Sequence, residues 1–389
     1  MKFNDSLIHE YKIVSQNSTL GDVKCIVETF YDYGNVTNIK QLSSGETNYN
    51  YVIDLDKGGI EKRFFAQLYN TNKSLAALKY ELGLRNHIMS SGSADLKCAL
   101  CHNTKDGGYT VACECVDIGR VRYFCLFEYL EGRTLLDREE WAFGRMDDKL
   151  IRNMAKGLAL FHEKAYGYRP PEGGEGGTSE FAEDLLKYRD IYLNEFPKRR
   201  SDPDLDEYYD FFEKYQPRII ELLDRYRKSY VSVKDKLPVC VCHMDPSINN
   251  WMFDDDLNVM AVCDLDFSRE IMRLFDICLF YIDGFCNPND YENCLNLDRL
   301  IAFIDAYDEA IEQVGHSKLG QITREEREVF PDIFQLVAIK FGFNNIWDVI
   351  LTNGFSSCNE YNLFWGKWSK ACMEFIERNM DELKKKLMK

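Results

Sequence analysis

Between Val241 and Asp266 the chain carries a run of polar residues that few folds accommodate. Val241-Cys242-His243-Met244-Asp245-Pro246-Ser247-Ile248-Asn249-Asn250 reads His-x-Asp-x-x-x-x-Asn, and Asp264-Leu265-Asp266 follows it. The flanks are apolar: Pro238–Cys242 reads as a buried strand, and Asn250–Phe253 and Val259–Cys263 read as two short strands around a turn at Asp254-Asp255-Asp256. The fold must therefore hold polar loops on a rigid strand scaffold. Phosphoryl transfer asks for this set, since one carboxylate accepts the attacking hydroxyl's proton while further oxygen ligands hold divalent metal on the phosphates. Asp245, an Asn five residues on, and a second Asp a hairpin away supply those groups. Asp and Asn also populate ordinary loops, so the weight lies on the ordered pair of motifs and not on either alone.

At 389 residues the chain exceeds one average domain, and two lobes of unequal size are expected, 1–130 and 131–389. A hydrophobic content of 45% can fill real cores, yet no eighteen-residue window is uninterruptedly apolar, so no membrane association is expected. The first ten residues lack the apolar centre of a signal peptide, which points to a cytoplasmic protein. The fourteen cysteines fit reduced thiols used as small hydrophobes better than a disulfide framework. A formal charge of −16 argues against a nucleic-acid partner, which would need clustered Lys and Arg. It gives only a slight hint of a cationic substrate. Oligomeric state is not legible. Cys98-Ala99-Leu100-Cys101-His102, followed by Cys113 and Cys115, matches a haem-attachment or zinc pattern. The segment reads instead as a hairpin turning at Asp106-Gly107-Gly108, whose alternation puts Cys98 and Cys101 on opposite faces.

Taken in order, residues 18–33 predict a helix capped by Ser18 or Thr19. Strands at Ile39–Ser43, Asn48–Ile53 and Arg63–Tyr69 then form an antiparallel meander turning at Ser44-Gly45-Glu46 and Asp56–Gly59. In the first turn Ser43, Ser44, Gly45 and Asn48 are placed to cover nucleotide phosphates, though a single glycine also fits an ordinary hairpin. A helix over 74–90 carries Glu81, read equally well as a solvated residue. Arg122–Gly132 is an apolar strand whose exit at Glu128, Tyr129 and Leu130 would meet an adenine edge if it ran into an interlobe hinge. From Asp147 the pattern is helical. His162 reads as packed or capping, and Arg169–Thr178, with two Pro and four Gly, as an insertion or mobile lid. Helices are predicted around 180–197, 205–232, from Phe275, and at about 297–315, 323–352 and 357–387, with Trp347, Phe364, Trp365 and Trp368 packing the second lobe.

This order of parts resembles the aminoglycoside phosphotransferase and choline kinase-like superfamily over roughly 18–350. The resemblance implies an α+β protein-kinase-like fold, with a small antiparallel-sheet N-lobe and a larger, mostly helical C-lobe. Gly45-Glu46-Thr47-Asn48-Tyr49-Asn50-Tyr51, Ala66-Gln67 and the Asp264-Leu265-Asp266 variant look most like the homoserine kinase and N-acetylhexosamine 1-kinase branch. By this resemblance Asp245 would be the catalytic base and Asn250 and Asp264 would bind Mg²⁺, with Asp266 a further ligand. His243 would hold the loop, and Asp276 would brace it or the following helix. ATP and Mg²⁺ are the implied cofactors, and a small hydroxylated metabolite, an amino sugar or amino alcohol, the implied partner.

One departure stands out. Gln67 occupies the place of the lysine that would pair with Glu81 and grip the α- and β-phosphates. Lys62, Arg63 and Lys40 are the candidate replacements, and a catalytically silent nucleotide-binding protein is the alternative reading. An aminoglycoside- or choline-type kinase is another.

Overall fold

The structure, a computed structural model, describes residues 3–13, 18–42, 48–91, 96–135, 148–176, 181–199, 203–284, 294–352 and 356–389. They gather into two units. The first comprises Met1–Leu136, Tyr168–Gly176 and Met260–Asp266, and the second Asp137–Gly167, Gly177–Val259 and Phe267–Lys389.

The first unit contains β1 (His9–Ile13), α1 (Leu20–Phe30), β2 (Asn35–Gln41), β3 (Tyr49–Lys57), β4 (Ile60–Leu68), α2 (Leu75–Ser90), β5 (Val111–Cys115), β6 (Arg120–Glu128) and the short β7 (Arg133–Thr134). Six strands form one sheet in the order β1-β5-β6-β4-β3-β2. Local chemistry explains its hairpin and both helix starts. Gly58 and Gly59 hold left-handed backbone (φ +68° and +84°), the geometry a two-residue turn needs to match strand twist. Thr19 and Asp22 form a reciprocal capping box on α1, and the Ser74 hydroxyl accepts the Ala77 N–H to cap α2. Alternation along β4 then divides the core. Phe64, Ala66 and Leu68 pack with Val23, Ile26 and Val27 of α1, whereas Phe65 and Tyr69 join Leu78 and Leu82 of α2. Gln67, buried, lies by the same alternation on the α2 face.

Three features differ from the sequence expectation. A strand not expected from the sequence stands at the sheet edge, because β1 pairs in parallel with β5 about a hundred positions along the chain, too far for local periodicity to report. The turn at Thr104–Gly108 forms, but the arm before it runs beside the end of β6, through His102 N–H to Leu126 O at 2.7 Å, and does not pair with β5. The proline- and glycine-rich segment belongs with the first unit and lies on α2: the Tyr168 hydroxyl donates to Tyr80 O at 2.7 Å and Glu175 N–H to Ala76 O at 3.1 Å. A Cβ at Gly176 would meet the Tyr80 ring at 2.6 Å, so the close approach itself requires glycine.

The second unit holds α3 (Asp148–Ala165), α4 (Phe181–Asn194), α5 (Asp206–Val233), β8 (Val239–Cys242) and β9 (Trp251–Phe253). Within β10 (Val259–Val262) the chain enters the first unit, and it leaves before β11 (Arg269–Met272). Then follow α6 (Arg273–Gly284), α7 (Leu297–Gln313), α8 (Arg324–Thr352) and α9 (Ser356–Leu387). β8 and β11 pair antiparallel, with Cys242 opposite Arg269. Trp251, Trp365 and Trp368 are buried in this unit's core; the Trp347 side chain lies outside the described residues. Among the described residues no helix is long and apolar enough to cross a membrane.

Arg273, fully buried at the start of α6, ties that helix to the start of α8. Its guanidinium meets both Glu326 oxygens at 2.7 and 2.6 Å and donates to Gly320 O and Gln321 O. Breaking one half of such a pair leaves an uncompensated buried charge. Arg273→Met is therefore expected to cost roughly 3–5 kcal/mol, read as a lower urea midpoint by tryptophan fluorescence, and Arg273→Met with Glu326→Leu should recover much of the loss.

Candidate active site

The polar loop after β8 is held from three sides within the second unit. At its entry Met244 adopts a left-handed backbone (φ +69°), unusual for a non-glycine residue. Asp276, buried in the first turn of α6, accepts the His243 N–H at 2.6 Å and the Met244 N–H at 2.9 Å. Its third contact is His162 Nε2 at 3.0 Å, and His162 Nδ1 meets the Tyr307 hydroxyl at 2.8 Å. Nε2 therefore carries the proton donated to the carboxylate, and Nδ1 accepts from Tyr307. A helix N-terminus adds favourable potential for the Asp276 charge. His243 is buried with its ring 5.7 Å from Phe161 and 5.9 Å from Trp251. At the loop's exit the Trp251 indole N–H donates to Pro246 O at 3.2 Å. The Asn250 amide nitrogen donates to the Asp245 backbone oxygen at 2.9 Å and to its carboxylate at 3.2 Å. That choice aims the Asn250 amide oxygen away from Asp245, as a hard-cation ligand requires.

The first unit carries a second polar cluster. Asp264 has a left-handed backbone (φ +48°). Asp266 accepts Lys73 Nζ at 2.8 Å on one oxygen and Asn48 Nδ2 at 2.9 Å on the other. Lys73 Nζ also lies 2.8 Å from Glu81, whose other oxygen receives the Arg85 guanidinium at 2.7 and 2.9 Å and the Tyr69 hydroxyl at 2.9 Å. Burial raises the Glu81 carboxyl, but Lys73 and Arg85 outweigh it and hold it well below the carboxylate range. Asp266 is pushed up to about 8, by burial and then by the Glu81 charge, against the pull of Lys73. Lys73 and Asn48 thus meet Asp266 on separate oxygens, while Glu81 shares the same ammonium.

Lys73 was not legible as a partner of Glu81. Of the three replacements considered, Arg63 pairs with Asp54 at 2.7 Å and stacks on Tyr129, while Lys62 and Lys40 are exposed. Glu81 is buried, not solvated, because α2 turns it towards Lys73. The available signal was position: Lys73 lies two turns before Glu81, immediately ahead of the Ser74 cap. At the exit of β6, the Glu128 N–H donates to Leu100 O at 2.9 Å, so its backbone donor is already engaged, and Tyr129 and Leu130 are half-buried. Ser43, Ser44 and Gly45 lie outside the described residues.

The cysteine pattern resolves into core packing. Cys98, Cys101, Cys113 and Cys115 are buried and free, Cys101 Sγ donates to Tyr109 O at 3.3 Å, and His102 Nδ1 is taken by the Tyr33 hydroxyl. His162, Cys240 and Cys242 do bring ligand-type atoms within 4.8 Å of one another. Both His162 nitrogens are already bonded, however, and Cys242 donates to Ile271 O and Met272 O.

With this geometry in hand, comparison with known proteins gives a family. Residues 38–320 match the model of the phosphotransferase enzyme family. The chain belongs to that family. The phosphotransferase is 21% identical over 332 residues to a homoserine kinase of Zymomonas mobilis subsp. mobilis, covering 85% of this chain and 87% of the relative. Among solved structures it resembles amicoumacin kinase hAmiN, in complex with AMP-PNP, Ca²⁺ and Ami (TM-score 0.62, 13% identity, 91% and 93% of the two chains). It also resembles a microcompartment-associated aminopropanol kinase (TM-score 0.60, 13% identity, 94% and 98%). The phosphotransferase is thus a small-molecule kinase with a hydroxyl group as acceptor, and its α+β architecture is protein-kinase-like.

Burial is the largest influence on His162 and lowers it, with Asp276 opposing. A histidine depressed on folding contributes stability above its unfolded value near 6.5, and that stability is lost as pH falls towards the folded value. Thermal unfolding between pH 7.5 and 5.5 should therefore show stability declining below about pH 6.5. His162→Gln is expected to flatten that slope, by at most about 1.4 kcal/mol per pH unit for the single proton.

Proposed function

We propose that the phosphotransferase transfers the γ-phosphoryl group of ATP to the hydroxyl of an amino alcohol or amino sugar, with homoserine and N-acetylhexosamines the leading acceptors. The observation that carries the reading is the loop from His243 to Asn250, fixed at its entry by Asp276 and at its exit by Trp251. A carboxylate on so constrained a loop is suited to orienting a substrate hydroxyl and taking its proton, and that is the role assigned to Asp245. Asn250 and Asp264, an amide oxygen and a carboxylate, are the hard oxygen donors that would hold Mg²⁺. The metal would supply neutralising charge on the β- and γ-phosphates. On the nucleotide side, Asn48, Gln67 and the exit of β6 at Glu128, Tyr129 and Leu130 would line the site together with Ser43, Ser44 and Gly45. The acceptor class is supported by the homoserine kinase relative and by the amino-bearing acceptor named for the aminopropanol kinase.

ADP release with homoserine, choline, ethanolamine, hexosamines and aminoglycosides is the direct assay. Turnover is expected with an amino alcohol or amino sugar, to require Mg²⁺ and to vanish with EDTA. Asp245→Ala should lower the rate by about 10³-fold or more, the usual cost of removing a positioned catalytic group. Wild-type turnover by that variant would remove Asp245 from the mechanism.

A further inference from the structure

If the chain uses a nucleoside triphosphate as proposed above, its phosphates need a cation, and on the third strand of the meander Lys62 is exposed and Arg63 is paired with Asp54. Gln67 lies on the α2 face of β4, between Phe65 and Tyr69. The chain beyond β4 does supply a cation. Asn70 is held by its N–H donating to Asn48 Oδ1 at 2.9 Å, and the following turn closes through Asn72 N–H to Asn70 Oδ1 at 2.8 Å and Lys73 N–H to Asn70 O at 3.2 Å. That turn folds Lys73 back over the Tyr69 ring, 5.1 Å from its centroid, towards Glu81.

Two observations separate this lysine from an ordinary ion-pair partner. The side chain is 6% exposed and its ammonium spends two of its three N–H groups on Glu81 and Asp266. It also sits where Asn48, at the start of β3, and the Asp264-Leu265-Asp266 segment converge, since Asp266 takes Lys73 on one oxygen and Asn48 on the other. A phosphate reaching either segment would find the third N–H within the same cluster. Glu81 and Asp266 hold the ammonium in place before any anion is bound, so an arriving phosphate meets a preformed donor.

We propose that Lys73 contacts the non-transferred phosphates of the nucleotide, in place of the lysine absent at Gln67, and that Asp266 acts through Lys73 as a positioning residue instead of as a metal ligand. The charge has moved from the strand to the turn that follows it, and Asn48 fixes that turn.

Binding of ADP and of adenosine to the full-length chain, each in EDTA and in Mg²⁺, tests both halves. Lys73→Met should weaken ADP by about 10- to 100-fold, the loss expected for one charge-assisted contact, and leave adenosine unchanged. Lys73→Arg should keep part of the ADP affinity. Asp266→Asn should weaken ADP in EDTA as well as in Mg²⁺, whereas Asp264→Asn should do so only in Mg²⁺. Should Lys73→Met fail to fold, Lys73→Gln with Asp266→Asn removes ammonium and carboxylate together and is expected to bind adenosine but not ADP. A Lys73→Met protein with the wild-type ratio of ADP to adenosine affinity overturns the assignment of Lys73. An Asp266→Asn loss confined to Mg²⁺ overturns that of Asp266. A wild-type chain that binds neither ligand overturns the ATP reading, and this assignment with it.

Discussion

A carboxylate with no water around it is among the most expensive groups a protein can hold, and the second unit is arranged around one. Asp276 is wholly buried, and three N–H donors, two from the backbone at His243 and Met244 and one from His162, replace the water it has lost. Those donors to an α6 carboxylate come from α3 and from the loop after β8, and Tyr307 of α7 meets the other ring nitrogen of His162. A single unmet charge therefore couples three elements. The unusual backbone of Met244 is explained by the same demand, because two successive N–H groups can point at one carboxylate only if the chain bends sharply there.

The first unit meets the same problem with cations. Glu81 is as buried as Asp276, but its partners are Lys73 and Arg85, and its position on α2 depends on contacts that the helix makes elsewhere. The Tyr168–Gly176 segment bonds to the α2 backbone at Ala76 and Tyr80, so a loop far from the polar cluster in sequence fixes the helix that carries Glu81. Such a segment reads in sequence as an insertion or a lid, because proline and glycine mark irregular backbone without saying what it packs against. Close approach of Gly176 to the Tyr80 ring explains part of that composition, and on α2 itself Gly83 leaves room for Tyr168 and Pro171.

Legibility followed the range of the interaction. Features written within a few residues were readable: a cap on the first helix at Ser18 or Thr19, where Thr19 serves, the turn at Asp56–Gly59 and the long helices of the second unit. The order of the polar motifs was enough to suggest the family, and the family match agrees. Pairings across long sequence separation were not readable. The parallel partner of β1, the bond from His162 to Asp276 and the contact of Lys73 with Asp266 join residues about a hundred or more positions apart, where no periodicity carries information. Lys73 to Glu81 spans only eight residues, yet the lysine lies in an irregular turn whose direction no periodicity sets.

The sequence by itself determined which groups were available: a carboxylate, an amide and two further carboxylates in a fixed order, between short strands. These follow from residue type and spacing, which are local. Only the tertiary structure decided which charges meet. Gln67 marked a missing cation, but the cost of burying Glu81 and Asp266 side by side could be met only by a group that folding brings between them, and that group is Lys73.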